Sequence, residues 1–470
     1  MPPLFFLLAV VAASQLCEDD EPSLLQASYA RSMLPREKAA KPLHKGAEVF
    51  VMLPLDMFDK ATGDLKDREQ LRTWFAQLKT ANITGVMADT WWGLTEPKEK
   101  QYRFHGYHQL LREVKEFDFK LQLVASFHAQ GTSIPLPSWL MAAGVSPNIW
   151  YEDAQGSKSI DYISLWADNV KVTDRTPLEM YRDWMLQLKK EFYYDLGPDR
   201  SIPEIMVGLG TDGELKFPAY ENGDWTYPGI GEFQCYDDYA LQSLQGAADC
   251  AGKPPDWGKP PPPRETGSYN NNWNQTLFFT KGYRTPKGKF FLEWYSRALE
   301  THGNKVLEIA RDVFGPRLQL SAKIAGVHWM YKTPSHAAEL TAGYYNANGN
   351  TPYYHLAHIF GKLQTYFDFT CMEMTDASQP AYALSAPQEL VEQVIMATQA
   401  ASTTLTGENA LATNSVQGYN QMLVSKTSLA KLTYLRLGEE MMQQANFKLF
   451  KAFAARMQQN SFTTPFSLTA

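Results

Sequence analysis

Residues 207–218 read VGLGTDGELKFP, and this stretch decides how the chain can fold. An apolar, β-type run ends there in glycines and delivers one carboxylate, Glu214, into a turn. Two later stretches repeat the design: residues 407–411 (GENAL) bring Glu408 to the end of an apolar run, and residues 326–329 (GVHW) bring an imidazole beside an indole. The pattern indicates strands whose carboxyl ends carry polar side chains.

On both sides of this stretch, β-type runs alternate with amphipathic helical patterns. Residues 48–55 (EVFVMLPL), for example, are followed by apolar residues at helical spacing from Leu71 to Leu78. The predicted strands are residues 48–55, 83–92, 120–128, 204–211, 317–326, 368–374, 402–406 and 431–437. About eight such units predict the α/β fold class, as a (β/α)8 TIM barrel with long loop excursions at its C-terminal face.

One segment is too long to be a simple connection between two elements. Residues 216–284 include a run of prolines after Lys259 and a run of asparagines that begins at Asn270. Long stretches without a regular pattern are uncommon inside a domain unless they serve function. We therefore predict a functional loop excursion here, within a single catalytic domain over residues 46–470 that ends in a C-terminal extension.

Polar side chains recur near the C-terminal ends of the predicted strands. They are Asp89, His128, Glu214, His328, Thr370, Glu408 and Arg436. In a barrel these ends form one face, where active sites are built. Each residue also has an ordinary structural alternative: Asp89 could cap a loop, His128 could be a satisfied buried histidine, and Thr370 could be a common strand threonine.

Two carboxylates in an aromatic setting favour acid and base chemistry on a sugar. Aromatic residues crowd the stretch after Glu214, namely Phe217, Tyr220, Trp225 and Tyr227. Their burial of Glu214 would raise its pKa, as a proton donor requires. Glu408 precedes Asn409, and a hydrogen bond from that amide would keep the carboxylate ionised. Glu214 and Glu408 are therefore the predicted catalytic pair.

Other polar residues of the same face suit a sugar-binding role. Lys323 interrupts an apolar run, and a buried lysine needs a partner, so we expect it, like Arg436, to stabilise a neighbouring carboxylate. Side chains with the donors and acceptors to bind sugar hydroxyls are Asp89, His128 and His328.

Composition excludes several other classes of function. The chain has 470 residues and a formal net charge of −7, without a basic stripe, so we expect no nucleic acid partner. Neither a Cys-x-x-Cys pair nor a His-Glu-x-x-His motif is present, and we expect no metal and no cofactor. The four cysteines are too few for a disulfide framework, and those after Cys17 are interpreted as free thiols. The sequence does not define an oligomeric state.

The N-terminal region is typical of a targeting segment. Residues 1–15 resemble a secretory signal peptide, because the apolar run 4–13 is too short to span a bilayer, although no Lys or Arg precedes it. We expect no membrane association. Residues 16–45 are interpreted as a disordered extension. A pro-segment would lead to secretion, whereas a transit-type extension behind a signal would lead to a plastid, and both alternatives stay open.

Taken together, the motifs resemble those of the plant-type beta-amylase family over about residues 48–457. The matching stretches are GVMADTWWG, SFH, VGLGTDGELKFP, PGIGEFQCYD, KGKFFLEWYS, GVHWMYK, HAAELTAGYYN, FTCMEM, GENAL and TYLRL. The resemblance implies an exo-acting hydrolase that releases maltose from starch or maltooligosaccharides.

The resemblance also assigns roles to individual residues. It implies that Glu214 is the general acid and Glu408 the general base of an inverting, metal-free mechanism. The two carboxyl groups would then lie roughly 6.5–9.5 Å apart, or slightly more, with room for a water molecule. The residues implied to contact the glucan are Asp89, His128, Lys323, His328, Thr370, Asn409, Ala410 and Arg436.

One stretch departs from the family's pattern. In the family, the histidine of SFH precedes a Gly-rich lid (CGGNVGD), whereas here His128 is followed by AQGTS and then by IPLP. No Asp or Glu lies between His128 and Trp139, so the lid is shortened and its aspartate has no counterpart. We expect a more open site with weaker retention of maltose. Two hypotheses remain: an active enzyme, or a glucan-binding or regulatory protein with little or no activity.

Overall fold

Eight parallel strands close a barrel in the computed structural model, which describes residues 46–220 and 225–459. The barrel strands are β1 (Glu48–Met52), β2 (Gly85–Trp91), β3 (Lys120–Ser126), β6 (Glu204–Val207), β7 (Gln319–Ile324), β8 (Thr365–Phe369), β9 (Leu405–Glu408) and β10 (Leu429–Tyr434). Each strand pairs with its neighbours in order along the chain, and β1 pairs with β10 to close the ring. The predicted α/β barrel is confirmed. The predicted segments 1–15 and 16–45 lie outside the described residues.

The remaining two strands form a separate antiparallel hairpin. They are β4 (Trp150–Glu152) and β5 (Lys158–Ile163), and they lie between β3 and β6 along the chain. The hairpin was not predicted.

The longer helices that follow the barrel strands bury one apolar face. Helix α1 (Arg68–Lys79), for example, buries Leu71, Phe75 and Leu78, as the helical spacing predicts. The other helices, long and short, are α2 (Trp92–Thr95), α3 (His105–Glu116), α4 (Ser138–Ala143), α5 (Pro177–Glu191), α6 (Asp238–Cys250), α7 (Pro263–Thr266), α8 (Leu277–Thr280), α9 (Pro286–Phe314), α10 (Ala337–Ala342), α11 (Pro352–Lys362), α12 (Pro387–Ala400), α13 (Val416–Val424), α14 (Glu439–Met442) and α15 (Gln444–Met457). Within 46–220 and 225–459, no helix has the length and apolar character needed to cross a membrane.

The inside of the barrel is filled below its C-terminal face. Met52, Met87, Val124 and Met206, from four different strands, form an apolar cluster separate from the main core. Further down, the buried ammonium of Lys431 lies 2.6 Å from Glu204 Oε1 and donates to Gln122 Oε1 at 2.9 Å. A barrel filled in this way leaves space for a ligand only at its C-terminal end.

Two predicted segments differ from the structure in a way that matters for the site. The sixth barrel strand is β8, which ends at Phe369, so the motif 370–374 (TCMEM) forms a loop after the strand. The apolar residues Cys371, Met372 and Met374 follow the strand end, and this continuation moved the predicted strand forward. The segment 216–284 is also more regular than predicted. It contains α6, whose N-terminus is capped by Asp237 Oδ1 accepting from the Tyr239 and Ala240 amides.

The cysteines correct one prediction. Cys235 and Cys371 are buried free thiols, as expected. Cys250, at the end of α6, is disulfide-bonded, so its interpretation as a free thiol is wrong.

Candidate active site

A cavity of about 360 Å³ opens at the C-terminal end of the barrel. Eight of the ten predicted site residues line it: Asp89, His128, Glu214, Lys323, Thr370, Glu408, Ala410 and Arg436. They come from seven of the eight barrel strands or the turns that follow them. The other two, His328 and Asn409, do not line the cavity. Two polar side chains that were not predicted, those of Gln130 and Asp212, belong to residues that line it.

A tight turn after β6 places Glu214 at the cavity. The single-turn 3₁₀ helix Thr211–Gly213 precedes it, and the backbone packs so closely that a Cβ on Gly210 would lie 2.4 Å from the Glu214 carbonyl oxygen. Gly213 has a φ of +76°, and a Cβ there would lie 3.2 Å from the His128 ring. Glycine is therefore required at both positions, because a side chain there would meet neighbouring atoms.

Backbone contacts fix the turn to the next strand. The Leu215 amide donates to the Lys323 carbonyl oxygen at 2.8 Å, which forms a parallel bridge between Glu214 and Lys323. The Tyr344 hydroxyl donates to the Leu215 carbonyl at 2.7 Å and accepts from the Ala325 amide at 3.0 Å. Glu214 is therefore held at the site by its own main chain.

The surroundings of Glu214 favour its protonated form. Burial raises the pKa of the carboxyl, and the ammonium of Lys216, 3.1 Å from Oε2, opposes this effect without cancelling it. The aromatic residues of the following segment are not the cause we expected. Phe217 stacks on Tyr295 with ring centroids 3.8 Å apart, and Tyr220 packs against Trp329 instead of lining the cavity. The end of the barrel itself removes Glu214 from water.

Glu408 lies at the end of β9, beside a buried cation. Its side chain is fully buried, and Oε2 lies 2.7 Å from the Lys323 ammonium. Oε1 has no hydrogen-bond partner among the described residues. Burial alone would lower the pKa of Lys323, but Glu408, Asp368 and Glu214 outweigh it and raise that pKa, so the ammonium stays charged. Glu408 is therefore a buried carboxylate with one cation and one open acceptor.

Asp368 stands behind this ion pair. It is fully buried on β8 and accepts a hydrogen bond from Thr406 Oγ1. Burial and the charge of Glu408 raise its pKa well above the usual value. Sequence reasoning missed this residue because the predicted strand 368–374 begins there, whereas β8 ends one residue after Asp368.

Asn409 does not hold Glu408 as expected. Its side-chain amide donates to the carbonyl oxygens of Leu411 and Leu435, and its Oδ1 accepts from the Leu435 amide at 2.8 Å. The predicted hydrogen bond to Glu408 is therefore wrong, because the Asn409 amide donates to main-chain carbonyl oxygens of its own loop and of the loop after β10. Asn409 ties the loop after β9 to the loop after β10.

A second carboxylate also fixes the loop after β9. Glu373 accepts from the amides of Ala410 at 3.0 Å and Leu411 at 2.8 Å. This contact places Ala410 at the cavity wall and joins the loop after β8 to the loop after β9. The loop 370–374 therefore fixes the position of the loop 407–411 through hydrogen bonds to Glu373.

Several polar atoms at the cavity have no protein partner among the described residues. They include His128 Nδ1 and Arg436 Nη1, both of which are buried. Burial lowers the pKa of His128, so its ring is neutral near pH 7. Asp89 is oriented by Ser126, whose hydroxyl donates to Oδ1 at 2.8 Å, and Thr370 Oγ1 accepts from the Gly326 amide at 2.7 Å. Buried donors and acceptors without partners indicate a polar ligand.

His328 lies beside the cavity rather than at its wall. Its Nδ1 is 2.6 Å from Ser385 Oγ, and its ring centroid is 6.1 Å from that of Tyr227. Burial lowers the pKa of His328 to about 4, so the ring is neutral over most of the pH range. A glucan contact by His328 stays a prediction.

The shortened turn after His128 is tightly closed. The Gln130 amide donates to the Ile134 carbonyl at 2.8 Å, and the Ala129 amide donates to the Asp161 carbonyl at 2.7 Å. Gln130 brings an amide side chain to the cavity, where the longer lid of the family would bring a carboxylate. Across residues 46–220 and 225–459, no group of three or more His, Cys, Asp or Glu side chains could hold a metal ion.

A (β/α)8 barrel with this face defines a class of protein. Two carboxylates line one cavity: burial favours the proton on Glu214, and the buried ammonium of Lys323 lies against Glu408. Such a pair, amid unpartnered donors that suit hydroxyl groups, is the arrangement of a glycoside hydrolase.

The chain belongs to glycosyl hydrolase family 14, whose sequence pattern matches residues 50–462. Beta-amylase 1, chloroplastic, of Arabidopsis thaliana is 40% identical over 439 residues, covering 88% of this chain and 76% of the relative. A beta-amylase of Medicago sativa is 40% identical over 434 residues, covering 87% and 86%. The crystal structure of the catalytic domain of a beta-amylase from Paenibacillus polymyxa matches with a TM-score of 0.74 at 26% identity, covering 88% of this chain and 99% of that one.

These findings confirm the predicted family, fold and enzyme class. The protein is a glycoside hydrolase of the beta-amylase type. Its substrate is starch or a related glucan, whose α-1,4 linkages it hydrolyses with release of maltose.

Proposed function

We propose that Glu214 is the general acid and Glu408 the general base of an inverting hydrolysis that releases β-maltose from the non-reducing end. Glu214 would protonate the leaving glycosidic oxygen. Glu408 would take a proton from a water molecule that attacks the opposite face of the sugar. The other cavity-lining residues that were predicted would bind the glucan hydroxyls.

The position of Lys323 carries this proposal. Its main chain pairs with the turn that presents Glu214, and its ammonium lies 2.7 Å from Glu408 Oε2. One buried cation therefore sits against the proposed base while its backbone fixes the proposed acid. Two carboxyl groups in different electrostatic surroundings are the pattern expected of an acid and a base.

The proposed base also has the open acceptor that the reaction needs. Glu408 Oε1 is buried and has no hydrogen-bond partner among the described residues, at a cavity that can hold water. A general base must reach the proton that it takes, at about hydrogen-bond distance.

The alternative is a glucan-binding or regulatory protein with little or no activity, and the short turn after His128 is the observation that favours it. Maltose release from soluble starch by the purified full chain separates the two hypotheses. We expect maltose as the main product from the earliest times, because both carboxylates and Lys323 are in place. Starch binding without any maltose release would support the alternative and contradict the proposal.

The names of similar proteins favour a plastid as the compartment to which the N-terminal region directs the chain. Relatives from Arabidopsis thaliana and Oryza sativa carry the word chloroplastic in their names. We infer that residues 16–45 act as a transit-type extension behind the signal-like residues 1–15. Secretion is the competing destination.

A further inference from the structure

Three charged side chains form a connected group on the turn that carries the proposed acid. The ammonium of Lys216 lies 3.1 Å from Glu214 Oε2 and 2.8 Å from Asp212 Oδ2. The side chain of Lys216 is 10% exposed and that of Asp212 is 50% exposed. Asp212 lines the cavity with Glu214, and neither it nor Lys216 was among the predicted site residues.

The backbone directs this arrangement. Asp212 has a φ of 57°, in the left-handed region that Asp and Asn tolerate better than most residues. Lys216 follows four residues later along the same turn, so both flexible side chains start from fixed positions near Glu214. The group is therefore a local feature of residues 212–216.

The charges of the group depend on the protonation of Glu214. Among the described residues, the ammonium of Lys216 contacts the carboxyl groups of both Glu214 and Asp212. When Glu214 is protonated, Asp212 remains beside the ammonium as a counter-charge. Asp212 therefore compensates Lys216 in the state that a proton donor must occupy.

We propose that Lys216 is a positioning residue for the general acid, and that Asp212, as its counter-ion, keeps Glu214 in the proton-carrying state of the free enzyme. The inference rests on the proposed function of Glu214. It adds two residues to the reaction that act through Glu214 and are not required to touch the substrate.

Other groups also face Glu214, and each has a settled charge. Lys323 is a cation held by Glu408, and His128 is neutral because burial lowers its pKa. Tyr344 and Cys371 are neutral because burial raises their pKa values. Desolvation raises the pKa of Glu214, Lys216 lowers it and Asp212 raises it, which agrees with the geometry.

The test is the pH dependence of kcat/KM on maltoheptaose, which reports the free enzyme. Activity falls as pH rises through the pKa of the acid. Asp212→Asn removes the counter-charge, so ionised Glu214 is stabilised and the alkaline limb should move to lower pH by about 1 unit. Lys216→Met removes the cation, so the limb should move to higher pH by about 1 unit or more.

Asp118→Asn is the matched control. Asp118 also has a left-handed backbone, with a φ of 52°, and also pairs with a lysine, Lys79 at 3.3 Å, but it lies in the turn after α3, away from the cavity. Its alkaline limb should not move. Asparagine also tolerates the left-handed backbone conformation at both positions. Backbone strain would therefore not explain a difference between Asp212→Asn and the control.

The outcomes separate this inference from the assignment of the acid. Unmoved limbs in Asp212→Asn and Lys216→Met, with Glu214→Gln inactive, would overturn the inference and leave the proposed function standing. Shifts of the same sign in both variants would also overturn it. Full activity of Glu214→Gln would overturn the proposed function itself. If Lys216→Met does not fold, the shift in Asp212→Asn alone tests the inference. The Asp212 side chain is half exposed, so we expect this variant to fold.

Discussion

Glu214→Gln and Glu408→Gln are each expected to lower kcat on starch by about 10²–10⁴-fold or more while the fold is kept. Glutamine has nearly the same shape as glutamate but can neither donate the acidic proton nor accept one from water. Glu308→Gln, an exposed change on α9, is the matched control and should leave kcat unchanged. Near-normal turnover in either variant would contradict the assignment.

A substrate that needs no acid separates the two roles. Fluoride leaves without protonation, so α-maltosyl fluoride requires the base but not the acid. Glu214→Gln should therefore regain much of its rate on this substrate, whereas Glu408→Gln should stay slow on both substrates. The reverse pattern would mean that the two roles are exchanged.

Lys323→Met should lower both activity and stability by large amounts. The substitution nearly conserves volume, but it removes the cation that lies 2.7 Å from Glu408, whose side chain is fully buried near Asp368. Breaking a buried ion pair by removing one partner costs about 3–5 kcal/mol. If the variant stays folded, the buried carboxyl of Glu408 or Asp368 must then bind a proton. A proton on Glu408 would remove the charge that the base needs.

This variant should also have a diagnostic pH dependence. A carboxyl that holds its proton more tightly in the folded state than the usual pKa of about 4 in the unfolded chain destabilises the fold as pH rises through that interval. The urea midpoint of Lys323→Met should therefore fall further below that of the unchanged protein at pH 8 than at pH 5. Lys362→Met, an exposed change at the end of α11, should match the unchanged protein at both pH values. An equal loss at both pH values would argue against the buried-charge explanation.

Much of the site was predictable because a parallel barrel converts strand ends into one face. Asp89, His128 and Glu408 each end an apolar run, and the structure brings all three to one cavity. The same rule explains Glu214, since the glycines around it indicate a turn that comes directly after a strand. No contact between distant residues had to be known in advance.

Contacts that depend on three-dimensional neighbours were not predictable. The Asn409 side chain forms hydrogen bonds with the main chain of Leu435, which lies 26 positions further along the chain. Asp212 reaches the cavity because of one left-handed residue within a 3₁₀ turn, and no sequence period reports that conformation. The strand β8 was predicted too far along the chain because the apolar residues Cys371, Met372 and Met374 continue past its end. These differences arise where local backbone geometry, rather than strand periodicity, places the side chain.

The anomeric configuration of the first product tests the central claim most directly. Proton NMR of fresh maltose, recorded during digestion of maltoheptaose and before mutarotation, distinguishes the two anomers. If Glu408 activates water on the face opposite the bond that Glu214 protonates, β-maltose must appear first and α-maltose only later. α-Maltose as the first product would mean retention, and would contradict the assignment of an acid and a base to Glu214 and Glu408.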